Sequence, residues 1–258
     1  MYAPRIVTTS WDDGDPLDLK VAELLRARGL PGTFYFPFIG PHGRRTLEPA
    51  HLRSLASEGF EVGAHTMSHS VLPQLSSKEI ARELGTCKSG LEDILGKQVP
   101  MFCYPKGRFN SGVVQRVKDA GYEGARTTRM LRQTLDFDRF QMPTSLLAFG
   151  NKKEMYLRNV IKGRNIRGLF DYMTQFVRLD SWVSMGKLLF DQVLKEGGVW
   201  HLYGHSHQIE GMGLWDDLKE MLDYVSRREG VRYLINAEVL SFLPKKTFVI
   251  HRHSILER

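Results

Sequence analysis

Short apolar runs alternate with longer stretches of helical period along most of this chain. Residues 6–10 form a β-branched, apolar run of strand length. Residues 17–28 follow with Leu17, Val21, Leu24 and Leu25 at helical spacing, and Gly29 supplies the stop. The same alternation predicts strands at 32–38, 60–64, 100–104 and 124–127. Between them it predicts helices at 49–58, at 112–120 and from Ser76 or Ser77 to about Leu95. Either serine can cap that last helix, with Glu79 well placed in its first turn. Residues 131–178 are the least patterned; a short strand near 141–145 and then a basic helical segment are expected there. Helices at 181–196, 214–229 and 237–243 and strands at 198–203 and 231–235 complete the pattern. Repeated strand, loop and helix predict a parallel α/β fold. No internal repeat, linker or composition break interrupts it, so a single domain over 1–258 is expected, with a basic tail from about residue 244.

Composition narrows this picture only a little. At 42% hydrophobic and 25% charged over 258 residues, the chain can bury a sizeable core without disulfide staples. Its two cysteines, Cys87 and Cys103, fit no metal or redox spacing, which favours a reducing compartment. The N-terminus lacks the basic-then-apolar build of a signal peptide, and no apolar stretch is long enough to span a bilayer. A cytoplasmic location is the resulting expectation. Much of the net charge of +7 sits in 158–167 and 245–258 and suits an anionic partner, although a solvated basic surface explains it better than any specific partner. Nucleic acid is not expected, because no aromatic stacking platform accompanies the charge.

The candidate chemistry falls where the predicted strands end, which is where parallel α/β folds hold their ligands. Asp12 and Asp13 follow the first strand, His65 the third, Tyr104 to Gly107 the fourth, and His205 the strand at 198–203. Asp-Asp-Gly alone is turn chemistry. Adjacent residues on an extended chain point to opposite sides, however, so the two carboxylates can take different jobs. His65 and His69 stand at i and i+4, so one helical turn would set both imidazoles on one face to share an ion. One carboxylate completes a three-residue site for a divalent metal.

Ser10-Trp11-Asp12-Asp13-Gly14 followed by His65-Thr66-Met67-Ser68-His69 resembles the polysaccharide deacetylase family. These are the carbohydrate esterases of family four, which share the nodulation-type chitooligosaccharide deacetylase domain. The resemblance runs from about Ile6 to Leu243. It implies a distorted (β/α) barrel of mainly parallel strands and a metal-dependent hydrolase of carbon–nitrogen, non-peptide bonds. The implied reaction removes an acetyl group from an N-acetylated sugar or glycoconjugate. By it, Asp13, His65 and His69 bind a divalent ion, zinc foremost with cobalt and nickel open, and Asp12 is the general base. A divalent ion brings the pKa of water to about 7, within reach of such a carboxylate.

The family's third motif, commonly Arg-x-Pro-Tyr-Gly, is altered here. Aligning Pro105 and Gly107 puts Cys103 at the arginine and Lys106 at the tyrosine. Tyr104 and Lys106 remain candidates for oxyanion or substrate contact, the Lys106 N–H being independent of its side chain; a simple Pro-Lys-Gly turn fits as well. Arg126 and Arg108 are the candidates to replace the arginine that orients the base. The final motif's general acid lies among His201, His205 and His207. His205 is preferred because it ends a strand and follows Gly204, whereas His201 reads as a buried, hydrogen-bonded residue and His207 as lying beyond the mouth. Without a secretion signal, a phosphate- or lipid-linked amino sugar suits better than a wall polymer, with 158–167 meeting its phosphates. Two rival readings are a hydrolase of a small non-sugar amide and a non-catalytic carbohydrate-binding homologue. The complete set of Asp12, Asp13, His65 and His69 argues against the binder. Trp182 and Trp215 read as helix-stripe residues, and His42, His51, His251 and His253 as surface.

Overall fold

The computed structural model describes residues 3–150 and 153–244; the basic tail at 245–258 lies outside the described residues. The molecule is built on β1 (Arg5–Asp12), of which all but Arg5 is buried. It pairs in parallel with β2 (Thr33–Phe36) on one side and with β7 (Gly198–Gly204) on the other. Its first three residues also pair with β8 (Val231–Tyr233). Continuing outward from β2 come β3 (Glu61–Ala64), β4 (Met101–Cys103) and β5 (Gly124–Arg126), all parallel. Beyond β7 lies β6 (Leu146–Leu147), giving the order β5-β4-β3-β2-β1-β7-β6.

The sheet curls until its two ends are joined through residues 142–147. Met142 bridges to Arg126, its N–H donating to the Ala125 carbonyl at 2.8 Å. Three residues later the Ser145 N–H donates to the His201 carbonyl of β7 at 2.9 Å. The expected strand at 141–145 is therefore displaced, and regular pairing holds only at Leu146–Leu147. Pro143 lacks an N–H and cannot continue a ladder, so this stretch passes its hydrogen bonds from one sheet end to the other.

Helices cover the outside: α1 (Asp18–Arg26), α2 (Pro49–Ser57), α3 (Ser77–Leu95), α4 (Ser111–Asp119), α5 (Lys153–Lys162), α6 (Ile166–Thr174) and α7 (Trp182–Glu196). After β7 come α8 (Ser206–Gly211), α9 (Trp215–Val225) and the short α10 (Asn236–Val239). Ser76 caps α3 with the Glu79 capping box, and Gly96 ends it in the left-handed conformation. The helix expected to reach residue 229 stops at Val225, because Ser226 turns extended and Arg227 takes φ 55°.

Residues alternate along β1 between two interiors. Val7 and Trp11 pack outward under the helices, within the larger apolar core. Ile6 packs inward with Tyr35, Met101, Cys103, Met142 and Val199. On that inward face stand also Thr8, Ser10 and Asp12, bonded to Asn236, His201 and Arg126 respectively. The barrel interior is thus filled low down by apolar side chains and becomes polar toward the strands' carboxyl ends.

Candidate active site

β1 delivers both aspartates to the mouth of the barrel. Asp12 is its last residue, in register with Tyr35 on β2. The chain then leaves the strand through Asp13 at φ 79° and Gly14 at φ 63°. A side chain at Gly14 would be strained by that φ, and its Cβ would come within 2.5 Å of the Phe36 ring. This left-handed turn, rather than simple strand alternation, gives the two carboxylates different directions.

His65 and His69 come together without a helix. Residues 65–70 form a loop in which Thr66 and His69 have φ of 64° and 52°. The predicted helical turn is corrected accordingly; the two left-handed residues fold the chain back, and the ring centroids lie 5.0 Å apart. The loop is clamped from beneath by Glu83, which accepts from the Ser68 N–H at 3.0 Å and from the Ser68 hydroxyl at 2.8 Å. Glu83 was not foreseen as part of the site, though a carboxylate on the apolar stripe of Ile80, Leu84 and Cys87 was a readable signal.

Asp13 Oδ1 lies 3.3 Å from His69 Nε2 and 3.6 Å from His65 Nε2. Ligands at about 2.0–2.2 Å around a tetrahedral ion are separated by roughly 3.3–3.6 Å, so the three atoms fit one divalent metal. His65 Nδ1 donates to the Cys103 carbonyl at 2.8 Å, which leaves its Nε2 lone pair facing the site. Asp13 Oδ1 is buried with no hydrogen-bond partner. Burial, then the neighbouring Asp12 charge, pushes the Asp13 carboxyl up to about 7. Burial pushes His65 down to about 4 and His69 to about 3, so both rings are neutral as ligands must be. A second possible set, Asp12, His65 and Cys103, is a poorer fit. Burial drives the Cys103 thiol well up, away from the thiolate a metal requires, and Asp12 is already paired.

Asp12 accepts from Arg126 Nη2, and both side chains are buried. Burial raises the Asp12 carboxyl, but Arg126 with His65 and His205 outweighs it, and the net shift is downward. The Arg126 guanidinium also lies over the rings of Tyr203 at 4.8 Å and Tyr35 at 5.2 Å. Cys103 and Arg126 are register partners on β4 and β5. Of the two arginines expected to compensate for Cys103, the structure thus brings Arg126 to the base, while Arg108 lines a neighbouring cleft with Lys106.

Among the three histidines, His205 is the one brought to Asp12, its Nε2 3.8 Å from Asp12 Oδ2. Burial pushes it down to about 4, against the Asp12 charge. His201 has both nitrogens engaged, with Ser10 Oγ at 2.8 Å and the Pro143 carbonyl at 3.1 Å, as a buried structural histidine should. His207 stands further out, its ring 5.7 Å from that of His205. Tyr104 does not reach the site and is corrected: its side chain is buried, its hydroxyl donates to the Phe140 carbonyl at 3.0 Å, and its ring stacks on Phe109. Aromatic bulk at the inner end of the loop is claimed by the core. Lys106 is exposed at φ 54° and close enough to His69 to lower its pKa. Arg44, from the loop after β2, acts on both Asp13 and His207 and was not read from sequence.

Residues 2–125 match the family model for polysaccharide deacetylase. That match bears out the resemblance over residues 2–125. A peptidoglycan-N-acetylglucosamine deacetylase of Bacillus cereus is 31% identical over 121 residues, covering 46% of this chain and 54% of the relative. The chain spans about half the length of the curated relatives it matches. A Mycobacterium smegmatis structure that its name places with the polysaccharide deacetylases superposes with TM-score 0.67 at 15% identity, over 93% of this chain and 91% of that one. A mutant of a CE4 family pseudoenzyme with restored enzymatic activity superposes with TM-score 0.56 at 16% identity, over 93% of this chain and 69% of that one. The distorted barrel is therefore this chain's fold. Cys103 on β4 has Arg126 on β5 as its register partner, and it is Arg126 that donates to Asp12.

Proposed function

We propose that the chain is a metal-dependent hydrolase that removes an acetyl group from an N-acetylated sugar or glycoconjugate. The observation that carries this reading is the pairing of a convergent Asp13, His65 and His69 set with a separate, arginine-held Asp12. A binding protein has no use for an ionised base beside such a set.

Asp13, His65 and His69 would hold a divalent ion, with zinc the favoured identity from the mixed carboxylate and imidazole donors. Such an ion supplies Lewis acidity, which makes water a nucleophile at neutral pH and polarises the amide carbonyl. Asp12, ionised at neutral pH, takes one proton from the attacking water as its hydroxyl joins the carbonyl carbon. Arg126 holds that carboxylate in one orientation. His205 rests neutral, accepts the proton from Asp12 across the 3.8 Å gap and hands it to the leaving amine as the C–N bond breaks. Water is thereby divided between acetate and amine. Lys106, at the tip of its turn, offers its N–H toward the carbonyl oxygen. The cations in the Lys106 cleft, Arg108, Arg129 and Lys162, favour a substrate that also carries phosphate.

Acetate release from a panel of N-acetylated sugars, nucleotide sugars and oligosaccharides, with and without added zinc, tests the reading. Metal-dependent release from at least one class is expected, with one bound divalent ion per chain that His65→Ala abolishes. Stoichiometric metal without acetate release from any panel member would remove the deacetylase assignment.

A further inference from the structure

The α5–α6 hairpin carries an apolar stripe that points away from the protein. Ile166, Phe170 and Met173 recur at helical spacing on one face of α6 and are 83%, 66% and 62% exposed. Ile161 at the end of α5 is 60% exposed, and Val177, three residues beyond α6, is 40% exposed. These account for five of the seven large hydrophobic residues exposed among the described residues. Soluble surfaces rarely gather such side chains in one place without a partner.

The stripe is not the inner face of a helix that has simply failed to pack. The opposite face of α6, with Gly168, Asp171 and Tyr172, is already buried. Asn165 fixes the helix start, accepting from the Gly168 N–H at 3.0 Å and donating to the Leu131 carbonyl at 2.7 Å. Asn159 ties α5 to the same segment, donating to the Thr128 carbonyl and accepting from the Met130 N–H at 2.8 Å. The inward contacts are made, and the outward stripe is a second apolar face.

Charge decides what covers it. Between residues 154 and 178 the chain has five cations, Arg158, Lys162, Arg164, Arg167 and Arg178, against Glu154 and Asp171. All five cations are exposed, and Arg167 also pairs with Glu196 and Asp171. A second copy seated on the stripe across a twofold axis would set these cations against themselves. An exposed apolar stripe flanked by arginine and lysine has the build of an interfacial helix. We propose that α5 and α6 dock on the surface of an anionic lipid bilayer, with Ile166, Phe170 and Met173 entering the headgroup–acyl boundary and Arg158, Lys162 and Arg164 meeting lipid phosphates. No helix among the described residues is long and apolar enough to cross a membrane, and the docking proposed for α5 and α6 is a surface one. Lys162 and Asn159 also line the cleft that contains Lys106, so the docking face adjoins the candidate active site. The docking itself does not depend on the proposed deacetylase reaction.

Co-sedimentation of the full chain with vesicles tests this, using phosphatidylcholine alone and phosphatidylcholine mixed with phosphatidylglycerol. The protein is expected to pellet with the mixed vesicles and to stay in solution with the neutral ones. The triple variant Ile166→Ser, Phe170→Ser, Met173→Ser should lower the partition coefficient about tenfold or more, since insertion strength follows buried apolar area. Its circular dichroism and melting temperature should match the parent, because the three side chains are exposed. Arg158→Glu with Arg164→Glu should erase the preference for anionic lipid. The proposal is overturned if the parent stays in solution with both vesicle types, or if the triple variant pellets like the parent. It is also overturned if the parent sediments as a dimer without lipid and the triple variant as a monomer, which would make the stripe a self-association face.

Discussion

At the level of single residues, the site is organised by which charge is compensated and by what. Asp12 and Arg126 are both buried, and each is the other's main counter-charge. Removing one partner of such a pair leaves an isolated buried ion, at about 3–5 kcal/mol, whereas removing both can be nearly neutral. Asp12→Asn is therefore expected to do two things. Acetate release should fall by about 10²–10⁴-fold through loss of the base, while metal content, measured by elemental analysis, stays at the parent level. Thermal stability should fall as well, and the double variant Asp12→Asn, Arg126→Met should recover much of it without recovering activity. If Asp12→Asn loses the metal instead, the roles of Asp12 and Asp13 are reversed. Asp13→Ala and His65→Ala should each lose the ion outright, with His65→Ala also freeing the Cys103 carbonyl from its buried hydrogen bond.

At the level of elements, Arg126 reaches Asp12 from the strand next to the one that carries Cys103. Cys103 ends β4 with its Sγ 3.9 Å from Asp12 Oδ2, and Arg126 ends β5 at the matching register position. A guanidinium from either strand end can therefore reach the same carboxylate. Arg126→Cys should cut activity by about 10²–10³-fold, the cost of losing an electrostatic partner at a reacting group. Adding Cys103→Arg should return a measurable part of that loss, read as kcat, with the KM little changed. No gain in kcat from a folded double variant would show that the β5 position is specifically required. The same elements show what a sequence can disclose. The strand ends that carry Asp12, His65 and His205 were legible because each follows an apolar run and precedes a glycine, polar or helical signal. Arg126 was legible only as one of two candidates, since its partnership depends on strand order. The conformation linking His65 to His69 was misread because i and i+4 spacing also suits a loop with two left-handed residues. Tyr104 was misassigned because motif position says nothing about which side of a strand end the ring takes. Residues 142–147 and α6 were obscure for a physical reason: one passes its hydrogen bonds between two sheet ends, and the other has apolar residues on both faces.

At the level of the whole molecule, the barrel's interior connects the site to a buried acid well below it. Glu61, at the start of β3, accepts from the Thr33 hydroxyl at 2.7 Å and the Ala237 N–H at 3.3 Å. Asn236 at the start of α10 joins this group to the site, receiving the Thr8 hydroxyl at 2.9 Å and donating to the Tyr35 hydroxyl at 2.9 Å. The Tyr35 ring in turn lies beneath Arg126. Glu61 Oε1 is buried without a partner. Burial pushes the Glu61 carboxyl from 4.5 up to about 7, with the Thr33 and backbone hydrogen bonds opposing the shift only in part. The folded protein therefore holds a proton on Glu61 that the unfolded chain releases between about pH 4.5 and pH 7. Because the folded state binds more protons in that window, this group's contribution to stability falls as pH rises through it and levels off above about 7. The full span is on the order of 3 kcal/mol. Glu61→Gln keeps an oxygen to accept from Thr33 and Ala237 and removes the ionisation. Urea unfolding of parent and variant across pH 4.5 to 8 should give a stability difference that moves in the variant's favour by on the order of 2–3 kcal/mol as pH rises. A difference that does not change with pH would mean that Glu61 ionises normally in the folded barrel, and that the buried chain from Glu61 to Arg126 carries no strained proton.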